Sequence, residues 1–167
     1  TAPETGTQVT LSVPDAGMPI PSLEVADTMK EQHISETVQY ERKTGLCRVL
    51  IVDDHQMMRE GLASLFRFEP DMEVVGQAAD AKEAIALTEQ LHPDVILMDV
   101  NLGEGMTGLD ATKRILATYP ETTIIGLSMH VDKQVAEAMR HAGAVAYLTK
   151  DNLSQDLLAT IRQCHST

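Results

Sequence analysis

Cysteine is scarce in this 167-residue chain: Cys47 and Cys164 are the only two, and their spacing fits neither a metal-binding nor a redox motif. A disulfide framework is therefore not expected, and a reducing, cytoplasmic setting is. Basic residues are also in deficit, with 13 lysines and arginines against 25 aspartates and glutamates, for a formal charge of −12. So acidic a surface repels phosphate backbones, so direct nucleic-acid binding is not expected, while cations and basic patches are attracted. No apolar run approaches the roughly 18 residues of a membrane span, and no segment has the layout of a signal peptide. Membrane insertion and secretion are accordingly not expected. The first residue is Thr1 rather than methionine, which suggests a piece of a longer chain. What the chain does have is apolar content, 43%, enough at this length for one globular domain with an appendage.

The appendage is residues 1–46. Pro3, Pro14, Pro19 and Pro21 crowd its first half, and the alternation Gln8-Val9-Thr10-Leu11-Ser12-Val13 before Pro14 predicts a single strand. From Ala26 to Lys43 good helix formers carry only a thin apolar stripe at Met29, Ile34, Val38 and Tyr40, which predicts a partly helical linker over 15–46.

From Cys47 onward short apolar runs alternate with amphipathic segments. Strands are predicted at Arg48–Val52, Val74–Ala78, Asp94–Met98, Thr123–Ser128 and Val145–Leu148. Helices are predicted at Gln56–Phe68, with Met57, Leu62, Leu65 and Phe66 facing inward, and at Ala81–Leu91, Gly108–Tyr119, Lys133–His141 and Leu153–Gln163. Pro93 and Pro120 fall between elements, where proline is tolerated. Five strands alternating with five helices imply right-handed crossovers, so the fold class is α/β with a doubly wound parallel sheet covered on both faces. In such sheets ligands bind beyond the carboxyl ends of the strands.

The polar residues of interest fall at those ends. Asp53 and Asp54 follow the first strand, Asp99 the third, Ser128 the fourth, and Thr149 and Lys150 the fifth. Any one of them alone reads as a cap, a turn or a surface charge. Placed together, three carboxylates repel one another unless a cation neutralises them, and oxygen donors favour Mg²⁺ over zinc. Lys150 and the Ser128 hydroxyl complete a site suited to a dianionic phosphoryl group.

Four strings carry a family resemblance: Val49-Leu50-Ile51-Val52-Asp53-Asp54-His55, Pro93-Asp94-Val95-Ile96-Leu97-Met98-Asp99, Leu127-Ser128-Met129-His130, and Ala142-Gly143-Ala144-Val145-Ala146-Tyr147-Leu148-Thr149-Lys150. Over about residues 47–164 the chain resembles response-regulator receiver domains of two-component signalling, in particular the branch whose members often carry helix-turn-helix output domains. The resemblance implies a flavodoxin-like sheet with strand order 2-1-3-4-5. It makes Asp99 the phospho-acceptor and assigns Mg²⁺ to Asp53, Asp54, Asp99 and the Asn101 backbone carbonyl. It makes Lys150 and Ser128 the phosphoryl-binding lysine and switch hydroxyl, and Tyr147 the switch aromatic. The implied partners are a sensor histidine kinase or histidine phosphotransfer domain upstream and an output domain or protein downstream. A homodimer is compatible with it.

The chain departs from the family pattern in places. The loop after Asp99 has Gly103 where proline is usual and reaches Gly108 one residue late. Asp151 replaces the frequent proline after Lys150, which leaves a cis peptide there open. Residues 1–14, Gly6-Thr7 to Pro14 above all, resemble the closing strand of histidine-kinase ATP-binding domains. That would make the natural protein a hybrid kinase with its receiver at 47–167. A DNA-binding output domain is not expected after Gln163. Two rivals stand beside the receiver reading. A metal-dependent phosphatase with an aspartyl nucleophile needs an acid where Asn101 stands, and a pseudo-receiver binding module would not need Asp53, Asp54, Asp99 and Lys150 intact.

Overall fold

The computed structural model describes residues 45–166. The strand and helical linker expected within residues 1–44 lie outside the described residues. The chain order is β1 (Cys47–Val52), α1 (Gln56–Leu65), β2 (Met72–Ala78), α2 (Ala81–Leu91), β3 (Val95–Asp99), α3 (Gly108–Thr118), β4 (Thr123–Ser128), α4 (Lys133–His141) and β5 (Ala146–Thr149). A short 3₁₀ turn (Lys150–Asn152) then leads into α5 (Leu153–His165).

All strand pairings are parallel and the sheet order is β2-β1-β3-β4-β5, the doubly wound arrangement expected from the alternation of elements. The three central strands are nearly all buried, because helices cover both faces and leave no side for a polar residue. Alternate residues of each strand feed two separate cores. Leu50, Val52, Ile96, Met98 and Ile124 pack under α2, α3 and α4 against Ala84, Ile115 and Met139. Val49, Ile51, Val95, Leu97, Ile125 and Leu127 pack under α1 and α5 against Leu62, Phe66, Leu157 and Ile161. Each fully buried Leu or Ile contributes about 1.5–3 kcal/mol, so the paired cores fix the sheet and hold its ends rigidly.

The first helix differs from the sequence reading. It ends at Leu65, Phe66 is its C-cap, and Phe68 stands 86% exposed in the turn beyond. Met57 is 85% exposed rather than inward. The true inner stripe is Met58, Leu62, Leu65 and Phe66, spaced 4, 3 and 1 as a 3.6-residue period requires. Met57 sits five residues before Leu62, about 140° around the helix from it. Strand β2 also starts at Met72 rather than Val74, with a register irregularity opposite Val49 and Leu50.

Candidate functional site

Strands β1 and β3 are neighbours in the sheet, so their last residues come to the same edge. Asp53, just past β1, is wholly buried, and Asp99, the last residue of β3, is 2% exposed. Asp54 and His55 follow in the turn into α1, on the open side. His55 Nδ1 lies 2.9 Å from Asp54 Oδ1 and 3.4 Å from Asp53 Oδ1, and the His55 backbone N–H donates to Asp53 Oδ1 at 2.9 Å. One ligand atom each from Asp53, Asp54, His55 and Asp99 lies within 4.8 Å of the others.

Lys150, just past the edge strand β5, reaches this cluster across the end of β4. Its Nζ donates to Asp53 Oδ2 at 2.6 Å and lies 3.1 Å from Asp99 Oδ2, with its side chain nearly buried. One ammonium thus bridges two buried carboxylates. Burial pushes the Asp99 carboxyl above the ordinary aspartate range; the Asn101 N–H, donating to Asp99 Oδ1 at 3.0 Å, and the Lys150 charge oppose this, while Asp53 adds to it. At Lys150 burial alone would lower the pKa, but the hydrogen bond and charge of Asp53 and the charge of Asp99 outweigh it and the net direction is up. The lysine stays cationic. Three carboxylates against one lysine still leave negative charge uncompensated, and hard oxygen donors of this kind fit a divalent cation of the Mg²⁺ type.

The remaining residues named from the sequence stand around this core. Asn101 lies in the exposed loop after β3, its N–H on Asp99. Ser128 ends β4, buried, in register with Thr149 beside Lys150. Its Oγ accepts the His130 N–H at 3.4 Å, and the Tyr147 hydroxyl donates to the His130 carbonyl at 3.3 Å. The β4–α4 loop is therefore held at one residue by both Ser128 and Tyr147. The half-buried Tyr147 ring packs beside Gly126 and the α3–α4 core. The Lys150–Asp151 peptide is trans, as no described peptide is cis.

Three participants were not marked as site residues in the sequence. His55 was visible as the histidine after the acidic pair, but its place among the ligand atoms depends on the turn. Arg59 Nη1 donates to the Asp53 carbonyl at 2.6 Å, one helical turn into α1. Gly108, first residue of α3, sits so close to the end of β3 that a Cβ there would lie 2.0 Å from the Asp99 carbonyl oxygen. No composition signal marks that contact. The late glycine of the Asp99 loop is its only trace. Within that loop Gly103 takes φ +73° beside Asp54, a backbone that favours glycine.

Residues 49–162 match the response regulator receiver domain family. The chain is 41% identical over 117 residues to the transcriptional regulatory protein LiaR of Bacillus subtilis, an overlap covering 70% of this chain and 55% of that one. To the oxygen regulatory protein NreC of Staphylococcus carnosus it is 36% identical over 115 residues, 69% of this chain and 53% of the other. The chain thus spans about half the length of these curated relatives. Among solved structures, a LuxR-family two-component response regulator from Aurantimonas sp. SI85-9A1 superposes with a TM-score of 0.69 at 34% identity, covering 72% of this chain and 86% of that one. The response regulator domain of Thermotoga maritima CheB gives 0.68 at 32%, covering 73% and 98%. With the sheet order, the family match and these relatives in agreement, the chain belongs to the response-regulator receiver family of two-component signalling.

Proposed function

We propose that this chain accepts a phosphoryl group on Asp99 from a phosphohistidine of a sensor kinase or phosphotransfer domain, and that the modification switches its conformation. The observation that carries this reading is the Lys150 ammonium held between Asp53 and Asp99 at the carboxyl end of a buried sheet. An Asp99 oxygen forms the new bond to phosphorus as the phosphorus–nitrogen bond of the donor breaks, and the donor imidazole leaves with a proton from solvent. Burial and the Asn101 N–H fix the carboxylate's orientation before attack. Lys150 moves its charge from Asp99 onto a phosphoryl oxygen, with Asp53 keeping it in place. A Mg²⁺ held by Asp53, Asp54, Asp99 and the Asn101 carbonyl would supply further neutralisation of the phosphoryl oxygens.

The product carries new negative charge where Ser128 ends β4. Its hydroxyl turns from His130 toward a phosphoryl oxygen, the β4–α4 loop follows, and Tyr147 loses its partner at the His130 carbonyl and repacks. Water later hydrolyses the acyl phosphate. The relatives named as transcriptional regulators support an output in gene control, delivered by another segment or a partner.

The test is intact-mass measurement after incubation with Mg²⁺ and acetyl phosphate, beside Asp99→Ala. One phosphate adduct is expected on the wild type and none on the variant. An adduct that survives in the variant, or none on the wild type with small donors and histidine kinases alike, would overturn the assignment.

A further inference from the structure

The opposite edge of the sheet holds a second convergence of metal-binding side chains. Cys47 opens β1, Asp94 immediately precedes β3, and His165 closes α5, and one ligand atom from each lies within 4.8 Å of the other two. The thiol forms a buried floor at 1% exposure, Asp94 is half-buried, and His165 stands exposed at the rim. Asp94 spends one oxygen on the Arg48 N–H at 2.9 Å, and its other oxygen has no hydrogen bond among the described residues. Neither the Cys47 thiol nor the His165 ring makes one there either. Arg162, the cation on the same turn of α5, is taken up by Asp71 at 2.7 and 2.9 Å and by Glu69. Its charge does not compete for Asp94.

We infer that Cys47, Asp94 and His165 form a zinc-class site, separate from the carboxylate site at Asp99, that ties the last turn of α5 to the amino edge of the sheet. A thiolate, an imidazole and a carboxylate make a mixed sulfur, nitrogen and oxygen set that suits a borderline cation such as Zn²⁺ and not Mg²⁺. Neighbouring ligand atoms around a tetrahedral zinc are about 3.5 Å apart, and with all three already within 4.8 Å of one another only a small closing movement is needed on binding. His165, exposed at the end of its helix, can make that movement while the buried Cys47 and the backbone-anchored Asp94 stay fixed. The thiol proton goes to solvent as the metal–sulfur bond forms, and a water fills the fourth position.

The inference stands or falls with Co²⁺ and Zn²⁺ titrations of the 167-residue chain. One equivalent of Co²⁺ should give thiolate-to-cobalt charge-transfer absorption in the near ultraviolet, which Zn²⁺ displaces. The absorption should vanish in Cys47→Ser and persist in Cys164→Ser and in Asp99→Asn. Zinc affinity, read by competition with a chromophoric chelator, should fall at least tenfold in His165→Ala, an exposed change that spares the fold. Absence of the band in the wild type at saturating Co²⁺, its survival in Cys47→Ser, or unaltered zinc affinity in His165→Ala would each overturn the assignment.

Discussion

Asp94 and Asp99 bracket the same strand, one at each edge of the sheet, and the chain uses them in opposite ways. Asp94 is locked to β1 by backbone bonds: its carboxylate accepts the Arg48 N–H at 2.9 Å, while its own N–H donates to the Arg48 carbonyl at 2.8 Å. Asp99 is buried, faces the equally buried Asp53, and shares a single ammonium with it. The Asp94 oxygen tied to the Arg48 N–H holds two strands in register, whatever its second oxygen binds. A carboxylate whose partners are other ionic groups is poised for reaction, because its partners can exchange for substrate or cation.

Lys150→Met is expected to separate the two edges most sharply. It strands Asp53 and Asp99 without their cation, a loss of about 3–5 kcal/mol for a buried pair stripped of one partner. Urea unfolding in EDTA at neutral pH should show it, with Lys113→Met on the exposed face of α3 as a control that shifts little. A loss below about 1 kcal/mol would mean the bridge in the wild type only offsets its own desolvation.

Next in size is Gly108→Ala. Its Cβ would meet the Asp99 carbonyl at 2.0 Å, so the start of α3 must move off β3. A cost of about 1–3 kcal/mol is expected from overpacking, with slower phosphate uptake by Asp99 in the acetyl phosphate assay. Uptake at the wild-type rate would show that α3 does not set the geometry of the Asp99 loop.

The comparison itself is tested by Asp94→Ala against Asp99→Asn. The first leaves the Arg48 N–H without its partner and should cost about 1–2 kcal/mol. The second removes a like charge from a buried cluster and should stabilise the metal-free protein by roughly 1 kcal/mol. The sign follows from linkage: burial raises the Asp99 pKa, so the folded state holds that proton more tightly than the unfolded chain. Charging Asp99 therefore costs stability as pH rises from the ordinary aspartate range through its raised value. Thermal midpoints in EDTA at neutral pH should move in opposite directions. Movement in the same direction would erase the distinction.

Much of this site was legible because the sheet geometry turns sequence position into spatial position. Once β1, β3, β4 and β5 were read as parallel strands, Asp53, Asp99, Ser128 and Lys150 had to reach one edge. What was not legible depends on lateral contact or on rotation about an axis. Met57 against Met58 is a single residue of helical phase, settled by which face meets the sheet. The Gly108 approach to Asp99 and the Arg59 bond to the Asp53 carbonyl depend on how close each helix lies to a strand end. The gathering of Cys47, Asp94 and His165 crosses 118 positions in number from 47 to 165 and leaves no motif at all.

The smallest expected effect lies at the start of α3, where the Asp99 loop ends in a reciprocal cap. The Thr107 hydroxyl accepts the Asp110 N–H at 3.2 Å, and the Thr107 N–H donates back to Asp110 Oδ2 at 3.3 Å. Thr107→Ala removes a side-chain cap and should cost about 1 kcal/mol. The hydroxyl and N–H of Thr107 hold the Asp110 carboxyl below its usual range. A depressed carboxylate pKa means stability that is present above the unfolded-state value and lost as pH falls through the folded one. The stability gap between wild type and Asp110→Asn should accordingly be open at neutral pH and close in acid, read from urea midpoints. Phosphate uptake at neutral pH should change little in Thr107→Ala, because packing of Gly108 on the Asp99 carbonyl, more than the exposed cap, fixes where α3 begins. A large fall in uptake would make the cap part of the phosphorylation machinery and move the boundary of the reactive edge one turn outward.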